Sequence, residues 1–271
     1  MKSIFPIIVI YKVQLDESIS YQSLVRPNQF AEFLVYDNSP ASYQQNEAAL
    51  PGAIYVRNTN NGGLSEAYNQ GAEIAREKGY KRVLLLDQDT FFAEGTLAHY
   101  LEYIDYPGIV APAIITKQGA NFSPVDISGW TPKGATDIKA GEISLFEYAL
   151  VNSGCCIPVS LFTQSGGYDP AVNLDFSDFQ FQINIRKQQA QALVMSGEPA
   201  VQDFSNDCRE IGKILPRYDL YLQCAHHFKA DSATNKLKHE YVVFRHTIAL
   251  LLRTKSMHIL KNYVSKYLLK K

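Results

Sequence analysis

The sequence predicts an α/β protein: a mostly parallel sheet flanked by helices, with a C-terminal helical tail. Three observations lead there. Short continuous apolar runs recur as IFPIIVIY, AEFLVYDNS, GAIYVRN and RVLLLD, the pattern of strands buried on both faces. A segment with helical apolar spacing, LSEAYNQGAEIAREKGY, separates the third run from the fourth, where a parallel pair needs its crossover. From RYDLYLQCAHHF onward the spacing is helical to the end.

Each element carries its own signal. In the first helix Leu64, Ala67, Tyr68, Gly71, Ile74 and Ala75 fall on one face, and Gly79 is placed to end it in a left-handed turn. GIVAPAII predicts a further strand. The stretch from Thr116 to Glu142 is rich in Gly, Pro, Thr and Asp and predicts loops or a short hairpin. EYALVNSGCCIPVSLFTQSGGYDP reads as a strand, a turn of small residues and a short helix, and DFSDFQFQINIRKQQA as a helix. No internal repeat or low-complexity run interrupts the chain. The expected organisation is one domain over residues 1–215 and a helical extension over 216–271 packing on it.

Composition narrows the class. The chain has 271 residues, 46% of them hydrophobic and 20% charged, as in an ordinary soluble globular protein. Its net charge of -1 gives no reason to expect a nucleic-acid partner. The opening MKSIFPIIVIYK reads as a first strand rather than a signal peptide. No apolar run approaches the ~20 residues that span a bilayer. Cys155 and Cys156 are adjacent, Cys208 and Cys224 stand apart, and no C-x-x-C occurs. A zinc site or disulfide framework is not expected, and a reduced, cytoplasmic setting is.

Ligands of open parallel sheets sit outside the carboxyl ends of the strands. Three runs end there in polar groups: Tyr11-Lys12, Asp37-Asn38-Ser39 and Asp87-Gln88-Asp89. Asp37-Asn38-Ser39-Pro40 is also good turn chemistry. Asp87 and Asp89 read either as caps of the following segment or as ligands of a hard divalent cation, which takes one or two carboxylates plus substrate phosphates. The loop NTNNGGLSEAYNQG opens a helix with Gly62 and Gly63 but matches neither G-x-G-x-x-G nor a P-loop. Asp175 and Asp178 share a face if LDFSDFQ is helical. They suit a general base or simply an acidic helix start.

Together these segments resemble family 2 glycosyltransferases of the GT-A fold, closest in style to bacterial rhamnosyltransferases. PIIVIYK, VYDNSP, NNGGLSEAYNQGAEIA, LLLDQDT, VNSGCCIPVSLFTQSGGYDP and LDFSDFQFQINIRK arrive in the family's order over about the first two hundred residues. The resemblance implies a Rossmann-like GT-A domain and an inverting, metal-dependent transfer. The sugar, rhamnose by resemblance, would pass from a dTDP- or UDP-sugar to a hydroxyl of a saccharide or lipid-linked acceptor in bacterial surface polysaccharide synthesis. It assigns Tyr11, Asp37, Asn61, Gly62, Gly63, Asn69 and Asp87 to the nucleotide. Asp87 and Asp89 become the D-x-D that holds Mg2+ or Mn2+, Asp178 the catalytic base, and Ser153, Gly154 and Asp175 the acceptor side.

This chain departs from the family in places. Gln180 stands where many relatives have an acid, and Asn184 where an Arg is frequent, with Arg186 two residues on. AVQDFSND lacks the His that often completes the metal site, leaving Gln202 or Asp203 for that role; Asp203 is the expected third ligand. His226 and His227 stand where relatives carry an Arg-Asn pair.

Trp130, the single tryptophan, suits either stacking on an acceptor sugar or anchoring its loop. The tail from His246 has apolar residues at helical spacing among Arg and Lys, and no acid follows Glu240. It reads as a packing helix or as a peripheral contact with the inner face of a membrane. Two other functions compete: a catalytically degenerate sugar- or nucleotide-binding relative, and a nucleotidyltransferase, which IYKVQLDES disfavours for want of a Gly-rich loop.

Overall fold

The computed structural model describes residues 2–43, 51–136, 139–203 and 211–270. The first half runs β1 (Lys2–Ile10), β2 (Phe33–Asp37), β3 (Ala53–Arg57), α1 (Gly63–Glu77), β4 (Tyr80–Asp87), β5 (Thr90–Phe91), α2 (Thr96–Glu102) and β6 (Val110–Ala111). Short strands follow: β7 (Ile114–Thr116), β8 (Asn121–Ser123), β9 (Val125–Asp126), β10 (Lys133–Gly134), β11 (Gly141–Ser144), β12 (Tyr148–Ala149) and β13 (Cys156–Pro158). Then come α3 (Val159–Gln164), α4 (Ser177–Ile185), β14 (Gln191–Val194), β15 (Ala200–Gln202), α5 (Ile211–His227), α6 (Ala233–Thr254) and α7 (Met257–Tyr263).

The main sheet has the order β11-β14-β6-β13-β4-β1-β2-β3. The pairs β1–β2, β1–β4, β2–β3 and β6–β14 are parallel. β13 runs antiparallel between β4 and β6, and β11 antiparallel on β14. The continuous apolar runs have a direct cause: successive side chains of a strand feed opposite faces. Phe5, Ile7 and Val9 join the core layer under α1, while Ile4, Ile8 and Ile10 join the layer on the other side. α1 ends as its sequence implies, with Gly79 at φ 73 and its N–H donating to the Arg76 carbonyl.

The structure differs from the sequence reading in three places. GIVAPAII is two strands in different sheets: Val110–Ala111 belong to the main sheet and Ile114–Thr116 pair with β15 and β8. Pro112 between them has no N–H to offer a ladder. The Gly- and Pro-rich middle is more ordered than loops or one hairpin, since β9, β10 and β12 form a small sheet of their own. The tail from His246 is not one helix. Lys255 turns left-handed at φ 52 and closes α6, and α7 then folds back onto it. Tyr218, Leu222, Val243, Leu250, Ile259 and Tyr263 make a third core there.

The boundary placed at 215/216 falls inside α5. Among the described residues no helix is long and apolar enough to cross a membrane. Cys155, Cys156 and Cys224 are buried thiols; Cys208 lies outside the described residues.

One buried cation ties the sheet centre together. Arg82 on β4, 1% exposed, donates to the carbonyls of Tyr106 and Gly108 at 2.6 Å each and of Cys156 at 2.7 Å. Arg82→Ala strands three carbonyls and opens a cavity. It should destabilise the fold by about 3 kcal/mol or more, read as a melting temperature lower by ~6 °C or more.

Candidate active site

β4 delivers Asp87 to the carboxyl end of the sheet, and the chain turns at once into β5. Neighbouring segments strap that turn down. Ser20 Oγ donates to the carbonyls of Asp87 and, at 2.9 Å, Thr90. The Ile19 N–H and Ser18 Oγ donate to the Gln88 carbonyl at 2.8 and 3.1 Å. Ser153 Oγ accepts the Asp87 N–H at 3.2 Å and pairs with Thr90 Oγ1 at 2.7 Å. Ser153 and Gly154 therefore sit buried behind the turn rather than on the pocket wall. Gly154 has φ 83, and a Cβ there would press on Pro112 at 3.0 Å.

The two carboxylates of the turn have neutral partners. Tyr68 Oη donates to Asp87 Oδ1 at 2.8 Å, and Gln202 Nε2 donates to Asp89 Oδ1 at 2.6 Å. Burial pushes the Asp87 carboxyl up to about 6; the Asp89 charge adds to this and the Tyr68 hydroxyl offsets it. Burial also raises Asp89. Neither forms an ion pair with a cation among the described residues. Asp203 is differently placed: its carboxylate is 2.6 Å from Lys117 Nζ, while its N–H donates to the Asp89 carbonyl at 3.2 Å.

A second carboxylate group faces the first across a pocket of about 360 Å3 lined by Asp87, Asn152, Asp175, Asp178, Gln202 and Arg217, among others. Asp178 lies in the first turn of α4 and accepts the Phe179 N–H at 2.9 Å. Burial is the main cause that pushes its carboxyl up to about 7, reinforced by the charges of Asp175 and Asp87. Asp175 is not on the helix, because Phe176 at φ 65 intervenes. It is clasped by Arg217 of α5 in a two-pronged ion pair, one prong at 2.7 Å.

The nucleotide-side residues spread along the carboxyl ends of β1 to β3. Asp37 is fully buried; its carboxylate accepts the Ser39 N–H at 2.8 Å and the Tyr55 hydroxyl at 2.5 Å, so the turn reading of Asp37 is realised. Tyr11 is exposed with the Lys12 ammonium 5.1 Å over its ring. Asn61 is exposed at φ 54, and Gly62 precedes α1. Gly63 has φ 77, and a Cβ would meet the Asn173 carbonyl at 2.3 Å. Asn69 is committed elsewhere: both amide atoms bond the Tyr168 backbone at 2.8 Å.

Trp130 lines a neighbouring pocket of about 290 Å3 with Phe146, Arg186 and Lys238. That pocket shares Phe176 and Phe179 with the Asp178 pocket. A larger cavity of about 840 Å3 opens at the opposite end of β4, but the charges there are paired, Arg76 with Glu73 and Lys81 with Asp105.

Sequence reasoning missed Tyr68, Asn152, Gln202 as the partner of Asp89, and Arg217. Asn152 stands inside the quoted VNSGCC motif, and Tyr68 was visible only as one residue of a helix face. Gln180 bonds the Lys229 backbone at 2.6 and 3.3 Å, and Arg186 pairs with Asp231. Both serve to hold α4 against the loop before α6.

The donor set bears on a metal. No cluster of three or more acidic, His or Cys side chains is arranged to cage an ion among the described residues. Asp87 and Asp89 alone, proton-hungry and without a cation, fit Mg2+ or Mn2+ shared with phosphate oxygens and water. They do not fit an all-protein cage.

The acids gathered at the carboxyl edge of this mostly parallel sheet make the candidate site. The glycosyl transferase family 2 profile matches residues 17–159, more than half the chain, and the chain belongs to that family. No curated protein matches it in sequence. Among solved structures, S. aureus TarS 1-349 with UDP-GlcNAc is similar at 14% identity and TM-score 0.60, over 98% of this chain and 79% of that one. The same enzyme with UDP aligns at 15% identity and TM-score 0.57, over 92% and 72%. GalNAc-T7 with UDP, GalNAc and Mn2+ aligns at 14% and 0.55, over 93% and 57%. At these identities the likeness is one of fold.

The raised Asp178 carboxyl makes a stability claim. The fold disfavours its ionised form, so the cost is absent well below the unfolded pKa near ~4, grows as pH rises, and is complete above about 7. Asp178→Asn should therefore raise the melting temperature by ~3 °C or more at about pH 8 and by clearly less at about pH 5. Differential scanning calorimetry at the two values checks this; an equal shift at both would contradict it.

Proposed function

We infer that the chain transfers a sugar from a nucleoside diphosphate sugar to an acceptor hydroxyl with inversion, Asp178 acting as general base. The observation that carries this reading is one pocket shared by Asp87 and Asp178, with the latter's carboxyl pushed up to about 7. A base poised near neutrality removes a proton effectively.

The acceptor O–H gives its proton to Asp178 while its oxygen bonds the anomeric carbon. The bond from that carbon to the diphosphate oxygen breaks on the opposite face, and its electron pair leaves with the diphosphate. Arg217 holds Asp175 so that this second acid does not swing onto the base. Tyr68 and Gln202 fix the two acids of the β4 turn. A divalent cation held by Asp89 and Asp87 would neutralise charge on the leaving group. Asp203 already meets Lys117 through one carboxylate oxygen, which offsets the charge it would offer such a cation.

UDP or UDP-sugar in the TarS and GalNAc-T7 structures, and Mn2+ in the latter, support a nucleotide-sugar donor and a metal. The finer proposal is a dTDP- or UDP-sugar, rhamnose by resemblance. The acceptor would be a saccharide or lipid-linked saccharide of the bacterial surface, met in the cytoplasm, with Trp130 on the acceptor side. We also propose the C-terminal helices as an extension of the GT-A domain rather than an independent unit. A second reading, a binding-only relative, is favoured by the Lys117–Asp203 pair, which occupies the expected third ligand.

Three outcomes test these readings. A thermal-shift screen of UDP- and dTDP-sugars should give stabilisation that needs Mn2+ or Mg2+, of about 2.7 kcal/mol at a hundredfold excess over Kd, and Asp89→Asn should erase the metal-dependent part. Asp178→Asn should lower transfer by roughly 10^2–10^4 while donor binding persists; undiminished transfer sinks the assignment of the base. In the parent enzyme, the transfer rate should rise with pH through about 7 as Asp178 ionises.

A further inference from the structure

α6 buries one apolar face and exposes another. His239, Val243, Thr247 and Leu250 are buried in the C-terminal core region. On the far side Leu237, Tyr241, Phe244, Ile248 and Leu252 follow at spacings of four, three, four and four residues, the period of a single helix face. Leu237, Tyr241, Phe244 and Leu252 are exposed, Leu252 by 71%. The helix has 22 residues and is about 33 Å long, so the stripe covers most of it. Apolar residues scattered singly on a surface are ordinary, but a contiguous row marks a contact. Trp130, itself 57% exposed, meets Tyr241 edge-on at 5.9 Å. The row thus continues to the mouth of the aromatic pocket that adjoins Asp178.

Charge identifies the occupant. Beyond Glu240 there is no acid, while Arg245, Arg253, Lys255 and four further lysines follow. Arg245 and Arg253 are exposed on α6, and Lys255 is exposed directly after it. A second copy of the chain fits less well. An antiparallel pair of α6 helices that matched Leu237 with Leu252 would set Phe244 against Arg245 of the other copy and bring the two Arg245 side chains within about one residue of each other along the axis, where like charges repel.

We propose that this face of α6, together with Trp130, docks on an anionic lipid bilayer. The apolar row enters the boundary between headgroups and acyl chains, and the basic residues meet the lipid phosphates. The docked surface is the middle of α6, upstream of most of the basic tail. Docking also sets the Trp130 pocket at the bilayer, where an acceptor carried on a lipid could reach Asp178 past Phe176 and Phe179. Only that last consequence rests on glycosyl transfer.

The single tryptophan makes the test direct. Full-length protein is sedimented with vesicles of phosphatidylcholine mixed with phosphatidylglycerol, and separately with phosphatidylcholine alone. Binding should favour the anionic vesicles and weaken with salt. Trp130 emission should shift to the blue and be quenched by brominated acyl chains. Phe244→Glu with Leu252→Glu should cut binding by about tenfold or more with an unchanged melting temperature. Arg245→Gln with Arg253→Gln, a milder pair, should lose the preference for anionic vesicles. Absence of binding, binding that survives both pairs, an unquenched Trp130, or a dimer abolished by Phe244→Glu without any vesicle binding would each overturn the proposal. A chain that transfers sugar but ignores vesicles ends the docking proposal alone, and one that binds vesicles but never transfers sugar ends only the enzymatic reading.

Discussion

Two carboxylates forced together at the end of a buried strand are the constraint around which the carboxyl edge of this sheet is built. Asp87 and Asp89 are two residues apart on a turn half removed from water. Their charge is met by a phenol and an amide rather than by a cation. Such groups orient an acid without cancelling its charge. Burial makes both carboxyls hold their protons more tightly than usual, and the phenol and amide offset only part of this. The hydroxyls of Ser18, Ser20, Thr90 and Ser153 stop the turn from relaxing outward into solvent. The result is a rigid, under-neutralised edge, which is what a cation bridged to phosphates requires.

The C-terminal helices finish the site rather than decorate it. Arg217 reaches from α5 to Asp175, the Lys229 backbone pairs with Gln180, and Asp231 pairs with Arg186. Each contact lands on α4 or the residues flanking it, so the segment bearing Asp178 is fixed between sheet and extension. Gln180 and Arg186, which look like departures from the family pattern, have structural work here. Gln180 presents a neutral amide to a backbone N–H and C=O at once, which a carboxylate cannot do.

The legible parts of this protein are those set by local periodicity. The two-faced strands β1, β2 and β4, the amphipathic α1 with its terminal Gly79, and the polar ends of those strands were all visible, because each signal lies within a few residues. Asp87 and Asp89 could be singled out for the same reason, as acids ending an apolar run; Asp178 was marked as the base only by the resemblance to family 2 glycosyltransferases. The fate of GIVAPAII was harder to foresee, because Pro112 changes the partner of a strand rather than its local conformation.

What the sequence determined by itself was the class of fold and the unfavourable placing of Asp87 and Asp89, since both follow from apolar period and local chemistry. Tertiary structure alone decided the partners: Gln202 rather than Asp203 on Asp89, Tyr68 on Asp87, Arg217 on Asp175, and Ser153 behind the turn instead of on the wall. Apart from Tyr68, these pairings join residues dozens of positions apart, and even Tyr68 reaches Asp87 only because α1 packs against β4. No periodicity in the chain encodes such a meeting; it depends on how the sheet, α1 and the C-terminal helices pack.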